Sequence, residues 1–286
     1  MIPVYLTEEE MHSIIDRAIA EDLGDGDHTT LAVLPSTQKA VAHVICKSEG
    51  IIAGTELAER IFHKFDPSLN VSILVPDGSP VNFGDRILKI TGNAQAILSA
   101  ERLVLNFMQR MSGIASSTRK LSILLEGTGT QLLDTRKTTP LLRKIEKWAV
   151  QVGGGNNHRI GLYDMIMLKD NHIDYAGGVA NAVRMAQDYL AKTNKNLKIE
   201  IETRSLHEVK EVMDLGGVDI IMLDNMSLED MKKAVELIDG KYKTEASGNI
   251  DERNIREVAL CGVNYISVGA ITHSVRSLDL SLKAEI

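Results

Sequence analysis

The first third of the chain alternates between short apolar runs and turn residues. Thr7 followed by three glutamates is typical of a helix N-cap with acids in the first turn; it predicts a helix to about residue 20 and then a turn-rich acidic loop at 21–30. Short β-type runs occur at 41–45, 50–53, 71–75 and 87–91, and residues 56–65 have helical periodicity. These elements predict a small α+β unit.

A long helical pattern covers residues 98–125, with Leu103, Phe107 and Met111 among the apolar residues that recur along it. Gly113 is a candidate break in this helix. We place a domain boundary here, with an N-terminal domain of residues 1–112 and a second domain of residues 113–274. The C-terminal tail, residues 275–286, is expected to pack back on the first domain.

After residue 130 the pattern changes to a repeat of strand, loop and helix. Apolar strand runs lie at 132–133, 165–168, 199–201, 220–223, 244–246 and 265–268, and helical patterns at 179–191, 206–215, 228–238 and 252–260 separate most of them. A repeat of this kind predicts a parallel sheet with right-handed crossovers. Six strands of this type form either a barrel or an open doubly wound sheet.

The placement of polar residues favours the barrel. Residues able to do chemistry follow every predicted strand, from Asp134 through Lys169 and Asp224 to Ser247. In barrels, active-site residues gather at the carboxyl ends of all strands, whereas an open sheet concentrates them at one switch point. We therefore predict an α/β fold in which the second domain is a barrel-like ring.

The composition is that of an ordinary globular protein, with 44% hydrophobic residues and 25% charged residues in 286. A net charge of −7 and an aromatic share of 4% argue against extended nucleic acid or an anionic membrane as a partner. Cys46 and Cys261 lie in apolar runs without metal-ligand spacing, so we expect two reduced core thiols. The acidic N-terminus has no signal-peptide pattern and no apolar run reaches roughly 18 residues, so we expect a cytoplasmic protein.

Against this acidic background, residues 136–169 contain seven Lys or Arg and two acids, a local charge of +5. Cations at strand ends are costly to desolvate unless an anion pairs with them, and an Arg fork suits a carboxylate. We therefore expect a pocket for a small, multiply charged anion, and we expect Lys144 and Lys147 on the solvated face of a helix. The residues assigned to the pocket are Arg136, Lys137, His158, Arg159 and Lys169.

Two groups of small or acidic residues complete the predicted site. The turns Ser247-Gly248-Asn249 and Ser267-Val268-Gly269 follow the last two strands, where small residues and the helix after Asn249 would favour a phosphate, and His273 lies just beyond. Glu202 and Asp224 end adjacent strands and could hold Mg²⁺ or ribose hydroxyls. Glu200 has the same side-chain parity as Glu202, so both remain candidates. The expected ligands are a phosphorylated sugar and a small polycarboxylate.

Four segments of the chain carry a family resemblance. They are Asp-Thr-Arg-Lys-Thr-Thr-Pro at 134–140, Gly-Gly-Gly-Asn-Asn-His-Arg at 153–159, the segment ending in Lys-Asp-Asn-His at 161–172, and Glu-Ala-Ser-Gly-Asn at 245–249. At these spacings the chain closely resembles the quinolinate phosphoribosyltransferase family from about residue 7 to 281. The resemblance implies an N-terminal α/β sandwich domain and a C-terminal open α/β barrel of six or seven parallel strands.

The resemblance also implies an activity and a set of partners. Members transfer the phosphoribosyl group of 5-phosphoribosyl 1-pyrophosphate to quinolinate with decarboxylation, giving nicotinate mononucleotide, pyrophosphate and CO₂ for NAD biosynthesis. Mg²⁺ accompanies the phosphoribosyl donor, and no tightly bound organic cofactor is expected. Members are homodimers or higher oligomers such as hexamers, in which the neighbouring subunit completes each active site.

Roles for individual residues follow by resemblance. Quinolinate would be held by Thr135, Arg136, Lys137, His158, Arg159 and Lys169, together with Arg102 of the neighbouring subunit. The phosphoribosyl donor would be bound by Lys137, Lys169, Glu202, Asp224, Ser247, Gly248, Asn249, Ser267, Val268, Gly269 and His273, with Mg²⁺ near Glu202 and Asp224. Lys137, Glu202 and Asp224 are the expected catalytic residues.

The sequence departs from the family pattern after Thr-Thr-Pro, where Leu141 replaces the usual glycine. We expect the loop to adjust so that Leu141 avoids a positive φ. Asn249 also stands where some relatives have a second glycine. Three alternative functions remain: a related transferase acting on nicotinate or serving a molybdenum-associated role, a non-catalytic phosphate sensor, and an aldolase-type barrel with Lys169 as a Schiff-base amine.

Overall fold

The protein's structure, a computed structural model, describes residues 2–285. Its helices are α1 (Glu8–Leu23), α2 (His28–Val33), α3 (Thr55–Phe65), α4 (Ala94–Leu124), α5 (Arg143–Val152), α6 (Asp170–Ala176), α7 (Val179–Thr193), α8 (Leu206–Leu215), α9 (Leu228–Ile238), α10 (Ile255–Ala259) and α11 (Ala270–His273). Its strands are β1 (Lys39–Cys46), β2 (Gly50–Ile51), β3 (Asn70–Ile73), β4 (Pro80–Val81), β5 (Arg86–Asn93), β6 (Gln131–Leu133), β7 (Ile166–Leu168), β8 (Ile199–Thr203), β9 (Ile220–Asp224), β10 (Lys243–Ser247), β11 (Tyr265–Ser267) and β12 (Leu280–Ala284).

The chain divides into two compact units that interleave in sequence. The first unit contains Met1–Arg119, Thr139–Gly154 and Ser274–Ile286, and the second contains Lys120–Thr138 and Gly155–His273. The predicted domains, 1–112 with the tail 275–286 and 113–274, are divisions of the sequence and stay a prediction. None of the helices in residues 2–285 is long and apolar enough to cross a membrane.

The first unit is built on an antiparallel sheet with the strand order β12-β1-β5-β3. Its core forms across the strands: Val44 of β1 lies opposite Leu88 of β5 on one side and Leu282 of β12 on the other, and all three side chains are buried. Strand β12 at the C-terminus therefore pairs directly with β1. Cys46 and Cys261 are both buried and free, which confirms the prediction of core thiols.

The N-terminal helix begins as its sequence predicts but ends later. Thr7 and Glu10 form a capping box, in which each side chain bonds the other residue's main-chain N–H. The predicted loop at 21–30 is wrong in part, because α1 continues to Leu23 and α2 starts at His28. Asp27 accepts a hydrogen bond from the N–H of Thr30 at 3.0 Å, so an acid assigned to a loop is the N-cap of a short helix.

Helix α4 runs without interruption through Gly113, so the predicted break there is wrong. A side chain at Gly113 would overlap the main-chain carbonyl of Arg276 and contact Val275. The glycine is therefore explained by close packing of the C-terminal segment against the helix. Packing of this kind outweighs the roughly 1 kcal/mol that an interior glycine costs a helix.

Helix α5 corrects a second prediction, the one that placed Lys144 and Lys147 on a solvated face. Lys147 is 0% exposed and Lys144 forms an ion pair with Glu10 of α1. Buried Glu146 accepts from Arg110 at 2.9–3.0 Å and from the N–H of Thr139 at 3.1 Å. The residues at 145–150 are all buried, α5 lies within the first unit, and Lys144 and Glu146 are paired there.

The turn before α5 also differs from its prediction. Leu141 has a φ of 68°, the left-handed conformation that its side chain was expected to avoid. The N–H of Leu142 donates to the carbonyl of Thr139 at 3.1 Å across Pro140 and Leu141. Proline followed by a positive φ is the pattern of a type II turn, so the turn geometry outweighs the preference of leucine. The Leu141 side chain is 77% exposed.

The second unit is a parallel sheet of six strands in the order β6-β11-β10-β9-β8-β7, which confirms the predicted barrel-type fold. Within the described residues β6 and β7 are its edges, so the ring is open. An isolated parallel bridge joins Leu133 to Asn156, which places the chain beyond α5 along the free edge of β6. The register pairs Glu202 with Met222 and Ser247 with Asp224, so the carboxyl ends of neighbouring strands lie level.

Candidate active site

A cavity opens at the carboxyl ends of the six parallel strands, and it has two lobes. The arginine lobe, about 300 Å³, is lined by Arg136, Arg159, His158, Met167, Met222 and Glu245, among others. The turn lobe, about 520 Å³, is lined by Asp224, Asn225, the turns at 247–249 and 267–269, and His273, among others. Six residues line both lobes, so the lobes meet at these residues: Thr135, Lys137, Lys169, Glu202, Ser247 and Ser267.

His158 lies between two buried carboxylates in the arginine lobe. Its Nε2 atom is 2.9 Å from Glu200 and 3.3 Å from Glu245, and both glutamate side chains are 0% exposed. Its Nδ1 atom accepts the main-chain N–H of Arg159 at 2.7 Å. The predicted ligand His158 therefore uses both ring nitrogens within the protein, which makes it a support for Arg159.

This cluster binds protons more tightly than its separate members would. Burial by itself would lower the pKa of His158, but the hydrogen bonds to Glu200 and Glu245 outweigh burial and raise it. Burial and the charge of Glu245 raise the pKa of Glu200 to about 7, against the influence of His158. Since Nδ1 accepts from the main chain, the extra proton is held between Nε2 and the carboxylates.

The two arginines of this lobe are prepared for an anion. The Nε atom of Arg136 is buried and has no hydrogen-bond partner among the described residues. Arg159 donates to the carbonyl of Met165 at 3.2 Å, and burial together with the charge of Arg136 lowers its pKa. Two neighbouring guanidinium groups repel each other unless a negative ligand lies between them, so the lobe suits a carboxylate.

Asp134 holds the loop that carries His158 and Arg159. Its fully buried carboxylate accepts from the side-chain amide of Asn157 at 2.6 Å and from the N–H of His158 at 2.9 Å. Its own N–H donates to the carbonyl of Asn156 at 3.1 Å. Sequence reasoning counted Asp134 among the strand-end residues able to do chemistry but did not predict that it supports this loop.

Glu202 is at the junction of the two lobes, whereas Glu200 lies deeper on the same strand. Glu202 accepts from the Nζ atom of Lys169 at 2.9 Å and from the N–H of Asp170 at 3.0 Å. The sequence left both glutamates as candidates for binding Mg²⁺ or ribose hydroxyls. In the structure Glu202 lines the cavity, whereas Glu200 lies beneath it and supports His158.

Asp224 faces the turn lobe at the end of β9. Burial and the charge of Glu202 raise its pKa, and a hydrogen bond from Asn225 partly opposes this. Among residues 2–285, the His, Cys and carboxylate side chains that lie close enough to hold a metal as a group of three are His158, Glu200 and Glu245. Glu202 and Asp224 supply oxygen atoms to the lobe as two separate carboxylates.

The two predicted phosphate turns form the far wall of the turn lobe. Gly248 has a φ of 96°, and a Cβ atom on Gly269 would come within 2.9 Å of the Lys137 side chain and 3.1 Å of the His273 ring. Both glycines thus allow neighbouring groups to lie close to the main chain of these turns. The helix predicted after Asn249, over residues 252–260, is present but shorter, since α10 spans Ile255–Ala259 and has five residues.

Lys137 is fixed by its main chain at the junction of the lobes. Its carbonyl accepts from the hydroxyl of Thr272 at 2.8 Å, and its N–H donates to the hydroxyl of Thr135 at 3.0 Å. Thr135 therefore shapes the loop as well as lining the cavity. Every predicted site residue of the second unit lines a lobe, while Arg102 is on α4 in the first unit and lines neither.

Sequence reasoning missed Glu245, Asn225 and the two methionines of the arginine lobe, Met167 and Met222. Glu245 lies in the middle of β10, between buried Thr244 and Ala246. A glutamate inside a buried strand was a usable signal, because such a charge is rarely buried without a partner. The methionines gave no signal, since apolar residues in a strand are expected in any core.

The fold and cavity together define a class of protein: an α/β enzyme that handles small phosphorylated and carboxylated molecules. Comparison with known proteins identifies the family. The model of the quinolinate phosphoribosyl transferase N-terminal domain matches residues 27–112, and that of the C-terminal domain matches residues 114–283. The chain belongs to the quinolinate phosphoribosyltransferase family.

Individual relatives agree over nearly the whole chain. A chloroplastic nicotinate-nucleotide pyrophosphorylase [carboxylating] of Arabidopsis thaliana is 46% identical, with 96% of this chain and 83% of the relative aligned. A probable enzyme of the same name from Bacillus subtilis is 40% identical, with 96% and 93% aligned. The crystal structure of NadC from Streptococcus pyogenes superimposes with a TM-score of 0.92 at 40% identity, covering 97% of both chains.

Proposed function

We propose that the two-lobed cavity is where this chain carries out the activity of its family, the decarboxylating transfer of a phosphoribosyl group to quinolinate that yields nicotinate mononucleotide for NAD biosynthesis. The observation that carries this proposal is the meeting of two unlike lobes at Lys137, Lys169 and Glu202. One lobe suits a small dicarboxylate and the other a sugar phosphate. Their junction is therefore where the two substrates would react.

Quinolinate would lie in the arginine lobe. Its two carboxylates would pair with Arg136 and Arg159, and Lys169 would lie at the edge towards the second substrate. The buried, unpartnered Nε atom of Arg136 supports this placement, because an anion would supply its missing acceptor. His158 would keep Arg159 in place from below.

The phosphoribosyl donor would lie in the turn lobe. The turns at 247–249 and 267–269, with His273, would hold the 5-phosphate through main-chain N–H groups other than that of Val268, which donates to the carbonyl of Leu133 at 3.0 Å. Glu202 and Asp224 would face the ribose hydroxyls. The same two carboxylates offer the oxygen ligands that Mg²⁺ prefers, so they would hold the ion directly or through water. Bound Mg²⁺ would neutralise charge on the pyrophosphate and make it a better leaving group.

The reaction would begin when the pyridine nitrogen of quinolinate attacks the ribose C1 atom and the C1–oxygen bond to pyrophosphate breaks. Lys137 and Lys169, at the junction, would stabilise the charge that moves onto the departing oxygen. The lobes would hold nitrogen and C1 in line, which supplies much of the acceleration. The carboxylate beside the now cationic nitrogen would then leave as CO₂, and the ring carbon would take up a proton. Lys137 is the nearest candidate to deliver that proton or to orient the carboxylate.

The site would be completed by a second copy of the chain. The family resemblance supports a role in which Arg102 would reach the arginine lobe of a neighbouring subunit, and the enzyme would then be a homodimer or a higher oligomer. The cytoplasm is the proposed location, supported by two buried, free thiols.

The direct test is an assay with quinolinate, phosphoribosyl pyrophosphate and Mg²⁺, following nicotinate mononucleotide and labelled CO₂. We expect both products in equal amounts. Nicotinate should be a poor substitute, because it has one carboxylate for two arginines. Turnover of nicotinate in preference to quinolinate, without CO₂ release, would assign the chain to a different acceptor.

Sharing of the site is tested by mixing two inactive variants, Arg102→Ala and Lys137→Ala. In a hybrid dimer, one site would have both residues intact. Random exchange of subunits should restore about a quarter of wild-type activity. Absence of recovery, with hybrid dimers verified by mass, would contradict the shared site.

A further inference from the structure

A row of hydrogen bonds joins Asp224 to the Ser247–Asn249 turn in the turn lobe, and Asn225 is its central residue. Asp224 and Ser247 are direct neighbours in the register of β9 and β10. The N–H of Asn225 donates to the carbonyl of Ser247 at 2.9 Å and so extends that ladder by one residue. Asn225 thus stands between the carboxylate and the turn.

The side-chain amide of Asn225 is bonded at both ends. Its Nδ2 atom donates to a carboxylate oxygen of Asp224 at 2.9 Å, and its Oδ1 atom accepts from Nδ2 of Asn249 at 2.9 Å. An ionised carboxylate can only accept, so the nitrogen of the amide must face Asp224 and its oxygen must face Asn249. Neither related side chain could replace this amide: glutamine is one methylene longer, and aspartate would set a second carboxylate against Asp224.

The backbone around this amide is held in an uncommon conformation. Asn225, Gly248 and Asn249 have φ values of 52°, 96° and 53°. A Cβ atom on Gly248 would overlap the Asn225 amide, so the amide packs directly on the glycine backbone. Left-handed backbone at three facing positions persists when surrounding contacts determine it, and here the amide supplies those contacts.

We propose that Asn225 is a positioning residue that holds Asp224 and the Ser247–Asn249 turn at a fixed separation, so that the ribose hydroxyls and the 5-phosphate of a phosphoribosyl donor are bound by one rigid wall. The proposal rests on the proposed function, because it takes the donor as the ligand of the turn lobe. Asn225 acts through Asp224 and Asn249 and does not contact the reacting atoms.

The first test is Asn225→Gly, which removes the amide while keeping a residue that tolerates positive φ. We expect KM for phosphoribosyl pyrophosphate to rise about tenfold, as for loss of a hydrogen bond to a charged group. KM for quinolinate should stay within about twofold, because the arginine lobe does not use the amide. The matched control is Asn194→Gly, since Asn194 has a φ of 50° at the exposed end of α7.

Two further variants distinguish a positioning role of the Asn225 amide from a general loss of folded protein. Asn225→Asp is nearly isosteric. It should raise KM for phosphoribosyl pyrophosphate more than Asn225→Gly does, because it adds a carboxylate beside Asp224. If the two amides act together, combining Asn225→Gly with Asn249→Gly should raise KM for phosphoribosyl pyrophosphate little more than the more damaging of the two single substitutions does. If the fold-increases in KM for phosphoribosyl pyrophosphate of the two single variants multiply in the double variant, the two amides act independently and the positioning role is overturned.

Direct binding of ribose 5-phosphate, measured by calorimetry, distinguishes this proposal from the proposed function. Asn225→Gly should bind it about tenfold more weakly than the wild type. Equal binding by the two proteins, or an equal rise in KM for both substrates, would overturn the positioning role. A wild type that binds ribose 5-phosphate but does not turn over quinolinate would instead contradict the proposed function.

Discussion

The two lobes of the cavity are built by different means. In the arginine lobe, charged side chains are fixed by other buried charges: Asp134 holds the loop, and Glu200 and Glu245 hold His158. In the turn lobe, the wall is main chain, shaped by positive φ at Gly248 and by small residues. The comparison indicates that charge defines the first lobe and backbone shape defines the second, so substitutions should affect them differently.

The largest effect is expected from removing a guanidinium of the arginine lobe. Arg136→Ala should lower kcat/KM for quinolinate by about 10³-fold, because a ligand carboxylate loses a paired charge in a buried site. The unfolding transition should be unchanged. The control is Arg184→Ala, on the exposed face of α7. Near-normal kinetics in Arg136→Ala would place the dicarboxylate elsewhere.

Loss of the His158 imidazole between the two carboxylates should mainly lower the free energy of unfolding. His158→Gln leaves Glu200 and Glu245 close together without a cation, at a cost of about 3–5 kcal/mol at pH 8. Thermal melting measures this, and His207→Gln, at an exposed position, is the control. A variant as stable as the wild type would show that the carboxylates are not held apart by His158.

The same cluster predicts a pH dependence with a definite sign. The pKa of Glu200 rises from 4.5 to about 7 on folding, so its contribution to stability is complete below pH 4.5 and is lost as the pH rises through 7. The raised pKa of His158 acts in the same direction above pH 6.5. Stability should therefore decline from pH 5 to 9, and Glu200→Gln should flatten the slope. A steeper slope in that variant would contradict the proton sharing.

A smaller effect is expected in the turn lobe. Gly248→Ala places a Cβ against the Asn225 amide at a positive φ, and we expect KM for phosphoribosyl pyrophosphate to rise roughly 30-fold. Gly240→Ala is the matched control, because Gly240 has a φ of 71° with no atom within 4 Å of the added carbon. Equal kinetics in the two variants would show that close approach at Gly248 is not required.

The smallest effect tests positive φ away from either lobe. Leu141→Gly removes the strain of a left-handed leucine and should raise the free energy of unfolding by up to about 1 kcal/mol. Urea unfolding measures it, and Leu162→Gly, at another exposed leucine, should give no gain. A loss of stability would mean that the Leu141 side chain has a packing role.

Much of the fold follows from local pattern. The capping box at Thr7, the helices at Leu206–Leu215 and Leu228–Ile238, and the strand runs of the second unit are set by neighbours in sequence, and the structure confirms them. Local propensity could not give the environment of Lys147, because burial depends on what packs against α5. Leu141 shows the same limit, since its turn overrides the preference of its own side chain.

The site divides in the same way. Strand-end residues such as Glu202 and Ser247 could be placed because parallel strands bring their carboxyl ends to one edge. The grouping of His158, Glu200 and Glu245 could not, because it joins three separate segments at a level below the strand ends. Asn225 was missed for another reason: its function depends on which way an amide faces, and sequence does not report that.

The interleaved units have a consequence for recombination. The two family models meet at residues 112 and 114, which looks like a natural crossover point for joining two relatives. A chimera made there would take Arg110 from one parent and Glu146 from the other, although the two form a partly buried ion pair within the first unit. It would also pair β1 of one parent with β12 of the other. Compatible parents must therefore match at these positions.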